Sequence, residues 1–134
     1  MKDEQLIEVA KEYREKAYVP YSKFKVGAAV RTKGGKIYGG CNVENASYPV
    51  GCCAERTAIC KAVSEGAREF EAIAVVADTE RPCAPCGMCR QFIAEFRIPR
   101  ILMTNLKGDR KIVTLEELLP FSFSDEDLSY TRVR

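Results

Sequence analysis

Two short motifs, far apart in the chain, carry three cysteines and constrain the fold more than any other feature. The first is Cys53-Ala54-Glu55-Arg56 and the second is Pro85-Cys86-Gly87-Met88-Cys89-Arg90. Three thiolates can fill three of the four tetrahedral positions that zinc prefers, which leaves one position open for water. Glu55 follows the first cysteine by two residues, and a carboxylate beside metal-activated water can carry protons. The two motifs must therefore meet in the fold, and together they predict a hydrolytic metal site.

The spacing inside each motif predicts that the cysteines lie at the starts of two helices. Cys86 and Cys89 are three residues apart, so at a helix start they share one face and can bind one ion. The partial positive charge of a helix N-terminus favours the thiolate form of a cysteine there. Arg56 follows Cys53 by three residues, and a donor beside a metal ligand can withdraw charge from its sulfur. We predict this role for Arg56, and an arginine that only faces solvent is the alternative.

Two other kinds of metal site are compatible with the cysteines, and either would make the chain a structural metal-binding module. A structural zinc site would close with a fourth thiol. A ferredoxin-type cluster would use the run Cys83-x-x-Cys86-x-x-Cys89, but Ile93 stands where such a run places its next cysteine. If neither site forms, the remaining cysteines are expected to be small buried or half-buried apolar side chains. These remaining cysteines are Cys41, Cys52, Cys60 and Cys83.

The residue types that are absent narrow the chemistry further. The chain contains no histidine, which excludes Ser-His-Asp and Cys-His nucleophile arrangements and leaves sulfur and carboxylate as metal ligands. Its net charge is +2, with acidic and basic residues interspersed, so neither nucleic acid nor a membrane is expected as a partner. A small molecule is the expected substrate.

Length and cysteine content predict one cytoplasmic domain over residues 1–134. The 134 residues, of which 46% are hydrophobic, suit a single core. The longest apolar run, Ala72 to Ala77, is far shorter than the roughly 20 residues of a membrane-spanning helix. The charged start Met1-Lys2-Asp3-Glu4 lacks the apolar core of a signal peptide. Seven cysteines, an odd number, then indicate free thiols rather than a disulfide framework.

The periodicity of apolar residues predicts an α/β fold. Apolar residues recur at helical spacing over Glu4–Tyr18, which Pro20 ends, and they alternate as in a strand over Phe24–Val30. The continuous apolar run Ala72–Ala77 predicts a central strand that is covered on both faces. This order predicts a three-layer α-β-α sandwich around a mixed sheet of about five strands. The other predicted elements are strands at Ile37–Val43, Arg100–Thr104 and Lys111–Val113, helices at Ala54–Glu65 and Cys86–Phe96, and a capping box at Thr114–Glu117 for a short helix that ends at Pro120.

Several further blocks extend the likeness of this sequence to one enzyme family. They are Phe24-Lys25-Val26-Gly27-Ala28-Ala29, Gly40-Cys41-Asn42-Val43-Glu44-Asn45 and Cys53-Ala54-Glu55-Arg56-Thr57-Ala58. With these blocks, the chain from Val19 to Pro120 resembles the small zinc-dependent cytidine deaminases. The resemblance implies the fold of these enzymes, one zinc ion per chain and a homotetramer. It also implies hydrolysis of cytidine and deoxycytidine to uridine and deoxyuridine with release of ammonia, as in pyrimidine salvage.

The resemblance also implies roles for individual residues. Glu55 would carry protons between the attacking water, the base and the departing amine. Asn42 and Glu44 lie two residues apart on a predicted strand and so point the same way, as two groups on ribose hydroxyls would. The implied zinc ligands are Cys53, Cys86 and Cys89, with Arg56 beside them. The other implied substrate contacts are Phe24 on the pyrimidine ring, the Ala54 backbone on the base edge and Phe123 from a neighbouring subunit.

Some points stay open at the level of the sequence. By periodicity alone, Phe24 is as readily a core residue of a strand as a platform for a base. Phe121 fits the pattern of Phe123, and either aromatic ring can fill an ordinary core. Met88 replaces the small residue that is usual in the family, and it predicts either a bulkier wall near the metal or packing between helices. Another aminopyrimidine nucleoside or an antibiotic analogue is the alternative substrate.

Overall fold

The computed structural model describes residues 2–132 of the chain, and side chains through residue 128. One turn of 3-10 helix at Tyr48–Val50 lies among the regular helices and strands. No helix within the described residues is both long and apolar enough to cross a membrane. The helices and strands are α1 (Lys2–Arg14), β1 (Val26–Thr32), β2 (Ile37–Cys41), α2 (Ala54–Ser64), β3 (Phe70–Ala77), α3 (Gly87–Glu95), β4 (Arg100–Asn105), β5 (Arg110–Thr114), α4 (Leu115–Leu118) and α5 (Asp125–Arg132).

The five strands form one mixed sheet in the order β2-β1-β3-β4-β5. β1 and β2, which lie in two predicted strand regions, pair as an antiparallel hairpin in which Ala28 lies opposite Gly40. β3 takes the central position, antiparallel to β1 and parallel to β4. α3 connects the parallel pair, because parallel neighbours need a long crossover. β4 and β5 form a second hairpin at the opposite edge.

Helices cover both faces of the sheet, which confirms the predicted three-layer α-β-α sandwich. Successive residues of β3 alternate between the two faces, because neighbouring side chains of a strand point in opposite directions. The face that packs against α1 is built from Leu6, Ile7, Ala10, Ala29, Ala72, Ala74, Val76 and Leu102. The face that packs against α2, α3 and α4 contains larger side chains, among them Ile59, Phe70, Ile73, Ile93, Ile98 and Ile101.

The first helix is shorter than predicted, because a distant segment pairs with the residues that follow it. α1 ends at Arg14 rather than at Tyr18, so Pro20 does not terminate it. The Tyr18 N–H donates to the Asn42 carbonyl oxygen at 3.0 Å, and the Tyr18 carbonyl oxygen accepts from the Glu44 N–H at 2.9 Å. These hydrogen bonds hold the chain extended where periodicity alone favours a helix, so tertiary context overrides local preference.

The remaining predicted elements agree with the observed ones to within two residues at each end. The capping box of α4 is present, with Thr114 as the residue before the helix and Glu117 as its reciprocal partner. α5 lies outside the predicted elements, although the sequence holds a local signal for it. The Ser124 N–H donates to the Asp127 carboxylate at 2.9 Å, and the Ser124 hydroxyl accepts from the Glu126 N–H at 3.3 Å, which resembles a second capping box.

Candidate active site

The three cysteines of the two motifs come together at the N-terminal ends of α2 and α3. Cys53 directly precedes α2 and Cys86 directly precedes α3, and neither side chain caps its helix. The Sγ atoms of Cys53 and Cys86 lie 3.7 Å apart. The three Sγ atoms, including that of Cys89, all lie within 4.8 Å of one another. No fourth cysteine of the described residues joins this group, which argues against a closed structural site.

The spacing of these sulfurs fits a zinc ion. Thiolates bind zinc with a zinc–sulfur distance of about 2.3 Å, which places two sulfurs of a tetrahedral site about 3.8 Å apart. The separation of 3.7 Å between the sulfurs of Cys53 and Cys86 matches this value. With three cysteine ligands, zinc keeps one coordination position for a small ligand, as in catalytic sites.

The protein environment favours the thiolate form of one of these cysteines. The pKa of Cys53 is lowered to about 5, chiefly because Cys89 donates a hydrogen bond to its sulfur, with a further hydrogen bond from Arg56. The pKa of Cys89 is raised, because its proton is held by Cys53 and because the thiol is buried. Cysteine binds metals in the deprotonated form, so Cys53 is the thiol of the pair that gives up its proton first, and Cys89 would lose its proton as the metal binds.

Arg56 contacts the Cys53 sulfur and does not simply face solvent. Its Nη2 donates to Cys53 Sγ and to the Gly51 carbonyl oxygen, both at 3.4 Å. Its side chain is half-buried, and its Nε is buried with no hydrogen-bond partner in the part of the chain that the structure describes. The hydrogen bond to Cys53 raises the pKa of Arg56, so the guanidinium stays charged. The tuning of the sulfur by Arg56 stays a prediction.

Glu55 is buried beside the sulfurs. It lies in the first turn of α2 and is 4% exposed. Burial is the largest cause of a raised pKa, and the negative charge of Cys53 adds to it, so that the pKa of Glu55 is about 7. A carboxyl group with a pKa near neutrality can both accept and release a proton. Its position suits proton transfer next to a metal.

A cavity of about 200 Å³ lies at the start of α2 and brings most of the predicted site residues together. Phe24 is 45% exposed and precedes β1 rather than belonging to it. The alternative of Phe24 as a core residue of a strand is therefore wrong, because its side chain lines the cavity, and its contact with a pyrimidine ring stays a prediction. The predicted residues that line the cavity are Phe24, Asn42, Cys53, Ala54, Glu55 and Cys86.

Asn42 points toward the segment that leads into β1 and is already hydrogen-bonded there. Its side-chain amide donates to the Phe24 carbonyl oxygen at 2.8 Å, and its Oδ1 accepts from the Val26 N–H at 2.9 Å. These two bonds hold Phe24 at the cavity. Asn42 lies beyond β2, which ends at Cys41, so the predicted strand over Ile37–Val43 is two residues too long.

Glu44 binds the same segment a few residues earlier. Its carboxylate accepts from the N–H groups of Tyr21 at 3.1 Å and Ser22 at 3.0 Å, and also from the Ser22 hydroxyl. The bond from the Ser22 hydroxyl is the largest cause of a lowered pKa of Glu44. Glu44 does not line the cavity of Glu55, but it lines a neighbouring cavity of about 270 Å³ and shares a groove with Asn42.

Phe123 and Met88 lie outside the cavity within this chain. Phe123 is 58% exposed, and Phe121 is fully exposed with a relative accessibility of 107%. The alternative that either ring fills a core is therefore wrong. Met88 is 63% exposed and borders a groove beside Arg56 and Cys53, so it does not pack between helices.

The remaining cysteines have different environments. Cys41 and Cys52 are half-buried as expected, but Cys60 is exposed on α2, so the expectation of a buried side chain is wrong there. Cys83 is half-buried and lines the cavity with Glu55. Burial, with the charge of Glu55 adding to it, raises the pKa of Cys83 to about 11. Cys83 is thus a cavity residue for which the sequence predicts no role. The only pattern that singled it out was the spacing Cys83-x-x-Cys86-x-x-Cys89.

The loop that leads to Cys86 is anchored at the end of β4, which the sequence patterns do not reveal. The Cys83 N–H donates to the Thr104 carbonyl oxygen at 2.9 Å. Asn105 is 1% exposed, and its Nδ2 donates to the carbonyl oxygens of Thr79 at 3.0 Å and Glu80 at 3.2 Å. A satisfied buried amide fixes the segments that it joins. By composition, Asn105 is an ordinary turn residue.

Known proteins with similar sequences and structures point to one family. The family model described as the cytidine and deoxycytidylate deaminase zinc-binding region matches residues 1–105. A cytidine deaminase of Sporosarcina psychrophila is 59% identical over 95% of each chain. One of Halalkalibacterium halodurans is 52% identical over 96% of this chain and 99% of its own.

A solved structure extends the similarity to the fold. The crystal structure of cytidine deaminase from Burkholderia pseudomallei has a TM-score of 0.89 and 53% identity, and it covers 92% of this chain and 100% of the other. The three-layer fold and the thiol cluster at two helix starts agree with these matches. The chain therefore belongs to the cytidine deaminase family.

Proposed function

We propose that this protein catalyses the zinc-dependent hydrolytic deamination of cytidine and deoxycytidine to uridine and deoxyuridine, with release of ammonia. One observation carries the proposal: the buried carboxyl group of Glu55 shares a cavity with Cys53 and Cys86, two of the three clustered thiols. A proton carrier, a metal site and space for a small heterocycle thus coincide. The reaction would belong to pyrimidine salvage.

In the proposed mechanism, Cys53, Cys86 and Cys89 hold zinc and Glu55 moves the protons. Zinc supplies the Lewis acid that makes water nucleophilic near neutral pH. Glu55 takes a proton from the attacking water and delivers it to N3 of cytosine while the new carbon–oxygen bond forms at C4. It then takes the remaining proton from the new C4 hydroxyl and delivers it to the C4 amine, so that the C4 carbonyl forms as the carbon–nitrogen bond breaks and ammonia leaves. The pKa of Glu55, about 7, suits both transfers.

The proposed substrate contacts divide between the base and the sugar. The cavity of about 200 Å³ is smaller than the 300–1,000 Å³ of a typical ligand pocket, so it suits the pyrimidine base alone. Phe24 offers a flat apolar ring to that base, and the Ala54 backbone borders its edge. Asn42 and Glu44 share the adjoining groove. Both keep hydrogen-bonding capacity beyond their internal bonds, and we assign them to the ribose hydroxyls.

The charges around the site favour a nucleoside over a nucleotide. In the part of the chain that the structure describes, no lysine or arginine lines the cavity of Glu55 or the neighbouring cavity of Glu44. Arg56 lines the groove that Asn42 and Glu44 share, but its guanidinium already donates to the Cys53 sulfur and the Gly51 carbonyl oxygen. Proteins often hold phosphate with arginine or lysine side chains that have no other partner. The pKa of Glu44 is lowered, so its carboxylate stays anionic and would repel a nearby phosphate. We expect deoxycytidine monophosphate to be a poor substrate.

We also propose that the chain forms a homotetramer in which Phe123 completes the cavity of a neighbouring subunit. Several large apolar side chains are exposed, among them Tyr48 at 75% and Val50 at 66%. Tyr48 and Val50 belong to the same turn of 3-10 helix, so they expose apolar area close together, as interaction sites often do. Light scattering on the purified protein measures the assembly. A Phe123→Ala variant that stays tetrameric but has an unchanged KM for cytidine would argue against the shared cavity.

We further propose a cytoplasmic location and a single domain over residues 1–134. All seven cysteines are free thiols, which agrees with a reducing compartment. One sheet joins β1 through β5, which agrees with one cooperative unit. A single calorimetric transition of the zinc-loaded protein would support the single domain.

The test of the proposed reaction is an assay of cytidine, deoxycytidine, deoxycytidine monophosphate and a few base-modified analogues, with metal analysis on the same sample. We expect one zinc per chain, conversion of both nucleosides and much slower conversion of the nucleotide. Bound zinc without turnover of any of them would favour the structural metal-binding module. Turnover of base-modified analogues alone would favour the alternative substrate.

A further inference from the structure

Each helix that begins at a candidate metal ligand carries an arginine that reaches back to the peptide ahead of that ligand. Arg56 of α2 donates to the Gly51 carbonyl oxygen at 3.4 Å, five residues earlier. Arg90 of α3 donates through Nε to the Pro85 carbonyl oxygen at 3.0 Å, also five residues earlier. Arg56 in addition touches the Cys53 sulfur. The second hydrogen bond of Arg90 leaves its own helix altogether.

Arg90 joins the loop of the metal site to the end of another helix. Its Nη1 donates to the Leu118 carbonyl oxygen at 2.9 Å, and Leu118 is the last residue of α4. Carbonyl groups at a helix C-terminus lack partners within the helix and carry partial negative charge, so a guanidinium stabilises them. Pro85 is buried and directly precedes Cys86. One side chain thus fixes the peptide next to a candidate ligand against α4.

The next residue extends this connection to the C-terminal segment, which we define as residues 119–124. The Gln91 Nε2 donates to the Phe123 carbonyl oxygen at 2.9 Å. Arg90 therefore holds the chain just before this segment, and Gln91 holds it near its end. Within the segment, Phe121 has a positive φ of 54°, a conformation that a residue other than glycine keeps only with support from its surroundings. Two consecutive residues of α3 give part of that support.

On the basis of the zinc ligands proposed above, we infer that Arg90 is a positioning residue for Cys86 and couples zinc occupancy to the conformation of residues 119–124. Its planar guanidinium reaches two carbonyl oxygens at once, a geometry that lysine does not reproduce. Loss of these bonds frees the Pro85 peptide and lets Cys86 move away from the other sulfurs. Conversely, a bound ion holds Cys86 and the Pro85 peptide, and so keeps Arg90 against Leu118.

The experiment compares zinc release from Arg90→Gln and Arg68→Gln. Arg68 is a matched control, because it also donates two hydrogen bonds to backbone carbonyl oxygens, at 2.9 and 2.8 Å, but near the C-terminal end of α2. The full zinc-loaded chain is mixed with a chelating dye, and the release rate is recorded. We expect Arg90→Gln to release zinc about ten to a hundred times faster than the wild type, and Arg68→Gln to match the wild type. Equal rates for the two variants would overturn the inference.

Hydrogen exchange supplies a second readout that a general loss of stability would not produce. Under conditions where exchange does not require global unfolding, removal of zinc from the wild type is expected to speed amide exchange several-fold in residues 119–124 and to leave α1 unchanged. In Arg90→Gln, the same segment is expected to exchange fast with or without zinc. A segment that exchanges at one rate in the zinc-loaded and zinc-free wild type would overturn the coupling.

Two further variants keep the test decisive. If Arg90→Gln does not fold, Arg90→Lys serves instead, because it keeps the positive charge but not the planar group that reaches two carbonyl oxygens. We expect it to release zinc faster than the wild type, but less than about ten times faster. Wild-type release from the lysine variant would overturn the role of the guanidinium. Cys86→Ser is expected to lose zinc outright, and retention of zinc there would overturn the proposed ligand set as well. Zinc loss from Cys86→Ser together with wild-type release from Arg90→Gln would overturn only the role of Arg90.

Discussion

Both faces of the sheet pack closely against helices, but only one face carries residues of the active site. On one face, Gly27 lies so close to α1 that a Cβ there would be 2.0 Å from the Ala10 carbonyl oxygen. On the other face, a Cβ at Gly40 would be 2.5 Å from the Ala58 nitrogen of α2. α1 supplies no residue to the active-site cavity, whereas α2 carries Glu55 in its first turn.

This difference separates the stability of the protein from its reaction. A change against α1 should lower the free energy of unfolding and leave the geometry of the thiols intact. A substitution in the contact with α2 or α3 should lower the free energy of unfolding and also disturb the thiols. These helices pack against the core along their length, and the proposed metal ligands lie at their N-terminal ends. The same burial of apolar area therefore has different functional consequences on the two sides.

The largest expected effect is the loss of a ligand on the α2 and α3 face. Cys89→Ala removes a buried sulfur of the proposed site, so we expect almost no bound zinc and no measurable deamination. The stabilisation by zinc is lost as well, about 2.7 kcal/mol when free zinc is about 100 times its Kd. Metal analysis, the cytidine assay and calorimetry measure these effects. Cys60→Ser changes an exposed thiol of α2 and should behave as the wild type. Full zinc content in Cys89→Ala would remove Cys89 from the ligand set.

Glu55→Gln, on the same side of the sheet, should lower the rate of deamination without disturbing the packing of the core. The amide cannot carry a proton, so we expect kcat to fall by a factor of about 100 to 10,000. Zinc should stay bound, and the unfolding temperature should not fall, because a buried neutral amide replaces a group whose charged form is costly to bury. Glu65→Gln, at the exposed C-terminal end of α2, is the matched control. Near-normal turnover by Glu55→Gln with zinc retained would exclude Glu55 as the proton carrier.

Gly27→Ala and Gly40→Ala test the separation of the faces most directly, since each adds one methyl group against a different helix. Overpacking should lower the free energy of unfolding by about 1–3 kcal/mol in both variants. Only Gly40→Ala should also lower kcat and speed zinc release, because it displaces α2. Gly34→Ala is the neutral control, as the nearest atom to its Cβ would be 3.8 Å away. Equal losses of activity at positions 27 and 40 would contradict the separation.

The smallest expected effect lies on the surface of the α1 face. Asp3 at the start of α1 accepts from Arg100 of β4 at 2.6 Å, and both side chains are partly exposed. We expect Asp3→Asn to lower the free energy of unfolding by about 0.2–1 kcal/mol at low salt, less at high salt, with kcat unchanged. Urea titrations at two salt concentrations, with Arg100→Gln as the partner variant, measure this. A loss of activity would link α1 to the site.

Much of the framework could be predicted, because it follows from local patterns. β3 is apolar at nearly every position because helices cover both of its faces. α2 and α3 begin next to Cys53 and Cys86, where a helix N-terminus stabilises a thiolate. Because one ion must bind both motifs, the sequence also predicts that the two helix starts lie together.

The contacts that hold the loops could not be predicted, since they join residues that no pattern relates. Tyr18 leaves helical geometry to pair with the segment after β2, which shortens α1. The Glu44 carboxylate binds N–H groups 22 and 23 residues away, and Arg90 binds a carbonyl oxygen 28 residues away. The periodicity of apolar residues predicts which side of a helix or strand is buried, but not the residue at which it begins or ends. It therefore could not show that Phe24 precedes β1 and is exposed.

The central position of β3 also has a consequence for how the chain folds. α2 precedes β3 and α3 follows it. During refolding, the cysteine at the start of α2 and the two cysteines at the start of α3 therefore stay apart until β3 has joined the sheet, and no complete zinc site exists before then. β3 pairs with β1 and β4 across long stretches of sequence, and such pairings form later than local hairpins. We therefore expect zinc to slow unfolding and to leave the refolding rate nearly unchanged, which stopped-flow measurements with and without zinc would show. The metal secures the finished protein and does not begin its assembly.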